Sequence, residues 1–128
     1  MNMYLLYIDL DDLKKINDTY GHNRGDFILV ALAEILQKTF RKSDIKARIG
    51  GDEFVIFPID TQMNGVKSAL TRLKKSIDEY NTSSGHQPLL AVSTGVSCYK
   101  PSQPCSINEL LTKADSLMYE EKRQKQKT

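Results

Sequence analysis

The chain has 128 residues, 40% of them hydrophobic and 27% charged, which is the make-up of one globular domain with a single core. A formal charge of +2 is too small to mark a nucleic-acid surface. No apolar run approaches the ~20 residues of a membrane span, and no signal peptide is visible. Cys98 and Cys105 have no metal-type spacing and read as free thiols of a cytosolic protein.

In chain order, Tyr4 to Asp9 reads as a buried strand and Asp11 to Tyr20 as a short helix with Leu13 and Ile16 on one face. Gly21 to Gly25 reads as a turn, with Asp26 as N-cap of a strongly buried helix that carries Phe27, Val30, Ala31 and Leu36. Asp44 to Ile49 and Glu53 to Ile59 form a hairpin. Gly50-Gly51 suits a two-residue turn, because glycine tolerates the positive φ such turns demand. Asn64 to Tyr80 is amphipathic, with Val66, Ala69, Leu70, Leu73, Ile77 and Tyr80 at helical spacing. Asn81 to Pro88 is a polar loop and Leu89 to Tyr99 a strand. Ser106 is the N-cap of a last helix, with Glu109 completing a capping box. That helix ends in the basic residues Lys122, Arg123, Lys125 and Lys127, where cations suit the macrodipole. This order gives an α+β domain with a mostly antiparallel central sheet flanked by helices, of the ferredoxin-like, split βαβ kind.

Two acidic clusters point to chemistry. Asp9-Leu10-Asp11-Asp12 ends the first strand, and Asp52-Glu53 stands at the hairpin tip. Packing does not ask for neighbouring carboxylates there. A divalent cation does: magnesium takes oxygen ligands and is held by one or two carboxylates plus substrate phosphates. Phosphate chemistry is the other reading, and where it uses paired cations it calls for three or more converging acids.

The segment Asp9-Leu10-Asp11-Asp12-Leu13-Lys14-Lys15-Ile16-Asn17-Asp18-Thr19-Tyr20-Gly21-His22-Asn23-Arg24-Gly25-Asp26 resembles the first signature of the GGDEF family of diguanylate cyclases. Gly50-Gly51-Asp52-Glu53-Phe54 is that family's namesake. Ala91 to Val96 and Ala114 to Lys122 resemble two later family segments. The resemblance runs from Tyr4 to about Lys122. It implies the nucleotide-cyclase and polymerase palm fold and synthesis of cyclic di-GMP from two GTP with two Mg2+ (or Mn2+) ions. It also implies a homodimer for turnover and an upstream sensory domain in the parent protein. The domain would be cytoplasmic, with any membrane attachment of the parent carried by other regions. Family domains normally begin with an N-terminal helix and an Asp-x-Leu-Thr segment, so residues 1–128 read as a single domain that starts after it.

The resemblance assigns roles residue by residue. Asp9 would ligate metal by its carboxylate and Leu10 by its carbonyl. Asp52 would be a further ligand and the group that helps deprotonate the ribose 3′-hydroxyl. Glu53 would stand beside it as ligand or electrostatic partner. Asn17 and Asp26 would read guanine, whose N1–H and N2–H₂ donors a carboxylate can accept. Lys14 and Lys122 would meet the triphosphate with the amides around Asp12 and Leu13, as cations and helix-start N–H groups suit phosphates. His22 lies near the same pocket. Gly50 and Gly51 would let substrate approach the backbone, and Asp115 would be a fold-stabilising hydrogen-bond partner.

Arg41-Lys42-Ser43-Asp44 matches the family's RxxD inhibitory site, through which the product binds. The family's glycine and arginine after Lys122 are replaced by Lys125 and Gln126, so Lys125 or Lys127 is the substitute toward the γ-phosphate. Two other readings compete. One is a weak or inactive module that binds GTP or cyclic di-GMP as a regulatory domain; the other is a nucleotidyl cyclase with different base choice, against which Asp26 speaks.

Overall fold

The computed structural model describes residues 2–59, 61–85 and 88–127. Its elements are β1 (Met3–Leu10), α1 (Leu13–Tyr20), α2 (His22–Thr39), β2 (Ile45–Arg48), β3 (Glu53–Phe57), α3 (Met63–Ser84), β4 (Val92–Tyr99) and α4 (Ile107–Gln126). The four strands form one antiparallel sheet in the order β2-β3-β1-β4. That is the ferredoxin-like arrangement expected from the element order.

β1 lies in the middle of the sheet with helices on both faces, so it is buried at every position from Tyr4 to Leu10 rather than at alternate ones, and Asp9 is the one charged residue in that run. Leu6, Ile8 and Leu10 face one layer with Ile28, Leu32 and Leu36 of α2 and Val66, Leu73 and Ile77 of α3. Leu5 and Tyr7 face the other with Val55 and with Leu110, Ala114 and Met118 of α4. Each fully buried Leu or Ile contributes roughly 1.5–3 kcal/mol. These contacts therefore fix the sheet between its helices. α4 lies almost on the sheet backbone at Gly95, where an added Cβ would fall on the Ala114 carbonyl oxygen and 2.6 Å from the Met118 nitrogen.

Several boundaries differ from the sequence reading. The expected turn at Gly21–Gly25 narrows to Gly21, whose φ of 92° only glycine adopts easily. α2 then starts at His22, so Asp26 lies inside the helix and is not its N-cap. Phe27 and Val30, expected in the core, are 50% and 58% exposed, because α2 turns that side away from the sheet. α1 starts two residues later than expected, since Asp12 takes a left-handed conformation (φ 62°) that no helix continues. The β2–β3 loop spans four residues, Ile49 to Asp52, closed by Ile49 N–H to Glu53 O at 3.0 Å. Neither Gly50 nor Gly51 uses positive φ. The hairpin strands are shorter than expected, ending at Arg48 and Phe57.

α3 runs on to Ser84, four residues beyond Tyr80. Asn81, expected in a loop, is helical, and its amide ties the returning chain by paired bonds to Leu90 N–H and O, both 2.8 Å. The remainder of that expected loop includes His86 and Gln87, which lie outside the described residues. β4 begins at Val92 rather than Leu89. Ser106 caps α4 as expected, its hydroxyl accepting from Glu109 N–H at 3.1 Å. Ile107 and Leu117, expected on the packed face of α4, are 55% and 48% exposed.

Candidate active site

Side chains alternate along a strand, so Asp9 follows Leu5 and Tyr7 onto the α4 face of the sheet. Glu53 on β3 and Ser93 on β4 are its cross-strand partners. Leu10 N–H donates to Asp52 O at 3.0 Å, which brings Asp52 alongside the end of β1. Asp9 is only 7% exposed, and its Oδ1 is buried with no hydrogen-bond partner. Burial, the largest influence, raises its pKa; the Lys122 ammonium pulls it down; the charge and hydrogen bonding of Asp52 push it up again, to about 7. A buried carboxylate with a stranded oxygen, set beside a second carboxylate, is a fitting place for a divalent cation.

A cation already leans on this spot. Lys122 Nζ lies 3.0 Å from Asp9 Oδ2 and 3.4 Å from the Leu10 carbonyl, the two oxygens that the resemblance gives to metal. Glu53 is turned aside: its Oε2 accepts a short hydrogen bond from the Tyr7 hydroxyl. Burial and that bond raise the Tyr7 pKa, which keeps the phenol protonated as donor. Among the described residues no group of three or more His, Cys, Asp or Glu side chains is arranged to hold a metal, so the expected convergence of three acids is not seen. The cradle is two carboxylates and a carbonyl, which leaves room for the phosphate oxygens magnesium prefers.

The loop from β1 to α1 is tightly held. Asp11 N–H donates to Ala91 O at 2.8 Å, and the Asp11 carboxylate accepts from Ser93 Oγ at 2.7 Å and from Lys125 Nζ at 2.7 Å. Asp12 stands at the start of α1 without capping it through its side chain. The first amides of a helix have no partner inside it, so those of Leu13 and Lys14 are available to a ligand. Lys14 is exposed beside them.

On the other side of α1, the Asn17 Oδ1 is buried and unpaired. It presses on Gly25, where an added Cβ would overlap that oxygen and come within 3.0 Å of Cγ. Asp26 follows directly and is exposed, as is His22 at the start of α2. Asp115 is exposed on α4, and among the described residues it acts through its field at Tyr7 rather than as the hydrogen-bond partner expected of it.

Arg41 and Asp44 line a separate cavity of about 300 Å³ between the end of α2 and the start of α3. Asp44 is 7% exposed, and both of its oxygens accept backbone N–H groups: Oδ2 from Arg41 at 3.0 Å and Oδ1 from Ile59 at 2.9 Å. Arg41 is exposed; its guanidinium donates to Thr61 Oγ1 at 2.7 Å and to the Ile59 carbonyl, and lies 3.7 Å from Asp44 Oδ1.

The family model described as "Diguanylate cyclase, GGDEF domain" matches residues 1–128. The chain is a member of the GGDEF family. This GGDEF domain is 38% identical over 119 residues to the probable diguanylate cyclase DgcC of Escherichia coli, covering 93% of the chain and 32% of DgcC. It is 35% identical over 119 residues to diguanylate cyclase A of Treponema denticola, covering 92% and 32%. The chain thus spans about a third or less of the curated relatives it matches. Among solved structures, the GGDEF domain of Pseudomonas aeruginosa TpbB (YfiN) superimposes with a TM-score of 0.83 at 32% identity, covering 96% of this chain and 72% of that one. The GGDEF domain of Caulobacter crescentus DgcB, solved in complex with c-di-GMP, gives 0.83 at 25% identity, covering 95% and 72%.

Two arginines of this GGDEF domain went unassigned in the sequence. Arg48 donates from Nε to Gly50 O at 3.2 Å and from its terminal nitrogen to Gly51 O at 2.5 Å, and lies over the Phe54 ring. It holds the shape of the glycine loop; its place two residues before Gly50 was the available signal. Arg72 on α3 lines the same cavity as Arg41 and donates to Thr39 O at 3.4 Å. Thirty-odd residues separate the two arginines in sequence, so only the packing of α3 on α2 reveals their pairing. No helix among the described residues is long and apolar enough to cross a membrane.

Proposed function

We propose that this GGDEF domain is the catalytic module of a diguanylate cyclase. The observation that carries the reading is the buried Asp9 carboxylate, its Oδ1 without a hydrogen-bond partner, beside Asp52 at the meeting of β1 and β3. Asp9, Asp52 and the Leu10 carbonyl would hold Mg2+ or Mn2+, which when bound neutralises phosphate charge and lowers the barrier to attack at the α-phosphorus. Lys122 is the counter-ion of the site before loading and moves onto the triphosphate when its two oxygens are claimed. The amides of Leu13 and Lys14 and the Lys14 ammonium receive phosphate oxygens. Asn17 and Asp26 take the guanine edge, which satisfies the stranded Asn17 oxygen.

In each half-reaction the 3′-hydroxyl oxygen of one GTP bonds to the α-phosphorus of the other. The bond to pyrophosphate breaks, and Asp52 receives the hydroxyl proton. Two such steps across a homodimer close the ring of cyclic di-GMP and release two pyrophosphates. The cavity with Arg41, Asp44 and Arg72 would take the product as inhibitor, its guanidinium groups meeting phosphate or guanine acceptors.

The test is the domain held as a dimer by a fused coiled coil and given GTP and Mg2+. Cyclic di-GMP forms, Asp52→Ala abolishes it with the fold intact, and Arg41→Ala keeps turnover but loses product inhibition. Binding of GTP or cyclic di-GMP with no turnover would replace this reading by that of a regulatory module, which the Tyr7-bound Glu53 favours.

A further inference from the structure

We infer that Lys125 is a positioning residue for nucleotide and metal, acting through Asp11; this rests on the cyclase reading of the site. Lys125 falls one helical turn after Lys122 at the end of α4, and Asp11 falls two residues after Asp9 at the end of β1. The two lysines therefore climb the same face as the two acids. Lys122 reaches into the cation cradle, and Lys125 grips the loop behind it.

The grip has several points. Lys125 Nζ lies 2.7 Å from Asp11 Oδ2 and also donates to the Val92 carbonyl at the start of β4. Glu121, 3.9 Å from the ammonium, accepts from Thr94 N–H at 3.0 Å and Thr94 Oγ1 at 3.2 Å, which fixes this end of α4 to β4. The other Asp11 oxygen is held by Ser93. Asp11 is thus tied at its amide and at both oxygens, and Lys125 is the cation in that set.

What Asp11 holds in place is the sharpest bend of the site. Asp12 follows in the left-handed region, which aspartate enters more readily than most residues and which turns the chain sharply between β1 and α1. On one side of the bend are Asp9 and the Leu10 carbonyl; on the other are the first amides of α1. Fixing Asp11 therefore sets the angle between the metal ligands and the phosphate amides. With Lys125 tied to Asp11 and Val92, its part in substrate binding is indirect, rather than the direct contact to the γ-phosphate expected of it as a substitute for the arginine that Gln126 replaces.

The experiment compares Lys125→Met and Lys125→Arg with the parent chain. Hydrogen exchange of the ligand-free proteins reads the amides of Asp12 to Lys15, and titration with a non-hydrolysable GTP analogue and Mn2+ reads affinity. Lys125→Met exchanges faster across those amides, binds the analogue about 3- to 10-fold more weakly, as fits loss of a partly exposed charge-assisted bond, and raises KM while kcat stays within about twofold. Lys125→Arg, which can still bond Asp11, stays near the parent in all three. Unchanged exchange or unchanged affinity in Lys125→Met, or equal losses in the Arg variant, overturns the inference. If the parent itself makes no cyclic di-GMP, the cyclase reading fails, while exchange and analogue binding still decide the role of Lys125.

Discussion

Asp9→Asn should make the metal-free protein more stable at neutral pH while destroying the site. In the folded chain the Asp9 pKa is held up at about 7, mainly by burial, against 3.8 for an ordinary aspartate. Between those values the folded state keeps a proton that the unfolded chain has lost, so stability falls as pH rises from about 4 to about 7 and stays low above that. A gap of about three pH units corresponds to a ceiling on the order of 4 kcal/mol. Asparagine keeps the shape and removes the charge, but it leaves Lys122, with a side chain 22% exposed, without its carboxylate. The pull of that ammonium is already contained in the Asp9 shift, which stands at about 7 in spite of it. The net gain is therefore at most a few kcal/mol at pH 8, and it shrinks as pH falls toward 4 and vanishes below about pH 3, where Asp9 is protonated in both states. Urea melts of parent and variant from pH 4 to pH 8, with chelator present, measure it. A variant destabilised equally at every pH would refute the reasoning.

Three further substitutions probe the scaffold around the site. Gly95→Ala drives a methyl group into the α4 backbone at Ala114 and Met118, so it should cost about 3 kcal/mol or more in a denaturant melt. A neutral result would mean that α4 does not lie on the sheet as described. Asp44→Ala removes the acceptor of the part-buried Arg41 and Ile59 amides and should cost roughly 1–3 kcal/mol, whereas Arg41→Ala, at an exposed ion pair, should cost less than about 1 kcal/mol; equal costs would contradict the stapling role of Asp44. Ser106→Ala removes the cap of α4 and should lower stability by about 1 kcal/mol, read as a shift of a few degrees in the thermal midpoint.

The elements themselves were legible because hydrophobic spacing reports burial directly. The Val66, Ala69, Leu70, Leu73, Ile77 and Tyr80 face of α3 packs in the core as its period predicted. The run of β1 marked it as the central strand, and Ser106 with Glu109 marked the start of α4. Boundaries failed where a residue type serves two backbones equally well. Gly-Gly suits a tight turn but also a four-residue loop whose carbonyls Arg48 holds. Asp26 suits an N-cap, yet Gly21 with its positive φ lets α2 begin five residues earlier. Acids that cluster without a packing reason stand out in the sequence, and the fold brings two of them, Asp9 and Asp52, side by side. Their competitors for hydrogen bonds were not found, because nothing in sequence tells that Tyr7 claims Glu53 or that backbone amides claim Asp44. Arg72 and the Lys125–Asp11 pair stayed hidden for the same reason: each depends on how a helix settles on its neighbours.

The most direct measurement is anomalous diffraction from crystals of the protein grown with Mn2+ and a non-hydrolysable GTP analogue. A peak about 2.0–2.5 Å from carboxylate oxygens of both Asp9 and Asp52 is predicted, with the Lys122 ammonium withdrawn from Asp9 toward the phosphates. A nucleotide bound with no metal between those two carboxylates, and Lys122 still seated on Asp9, would contradict the account.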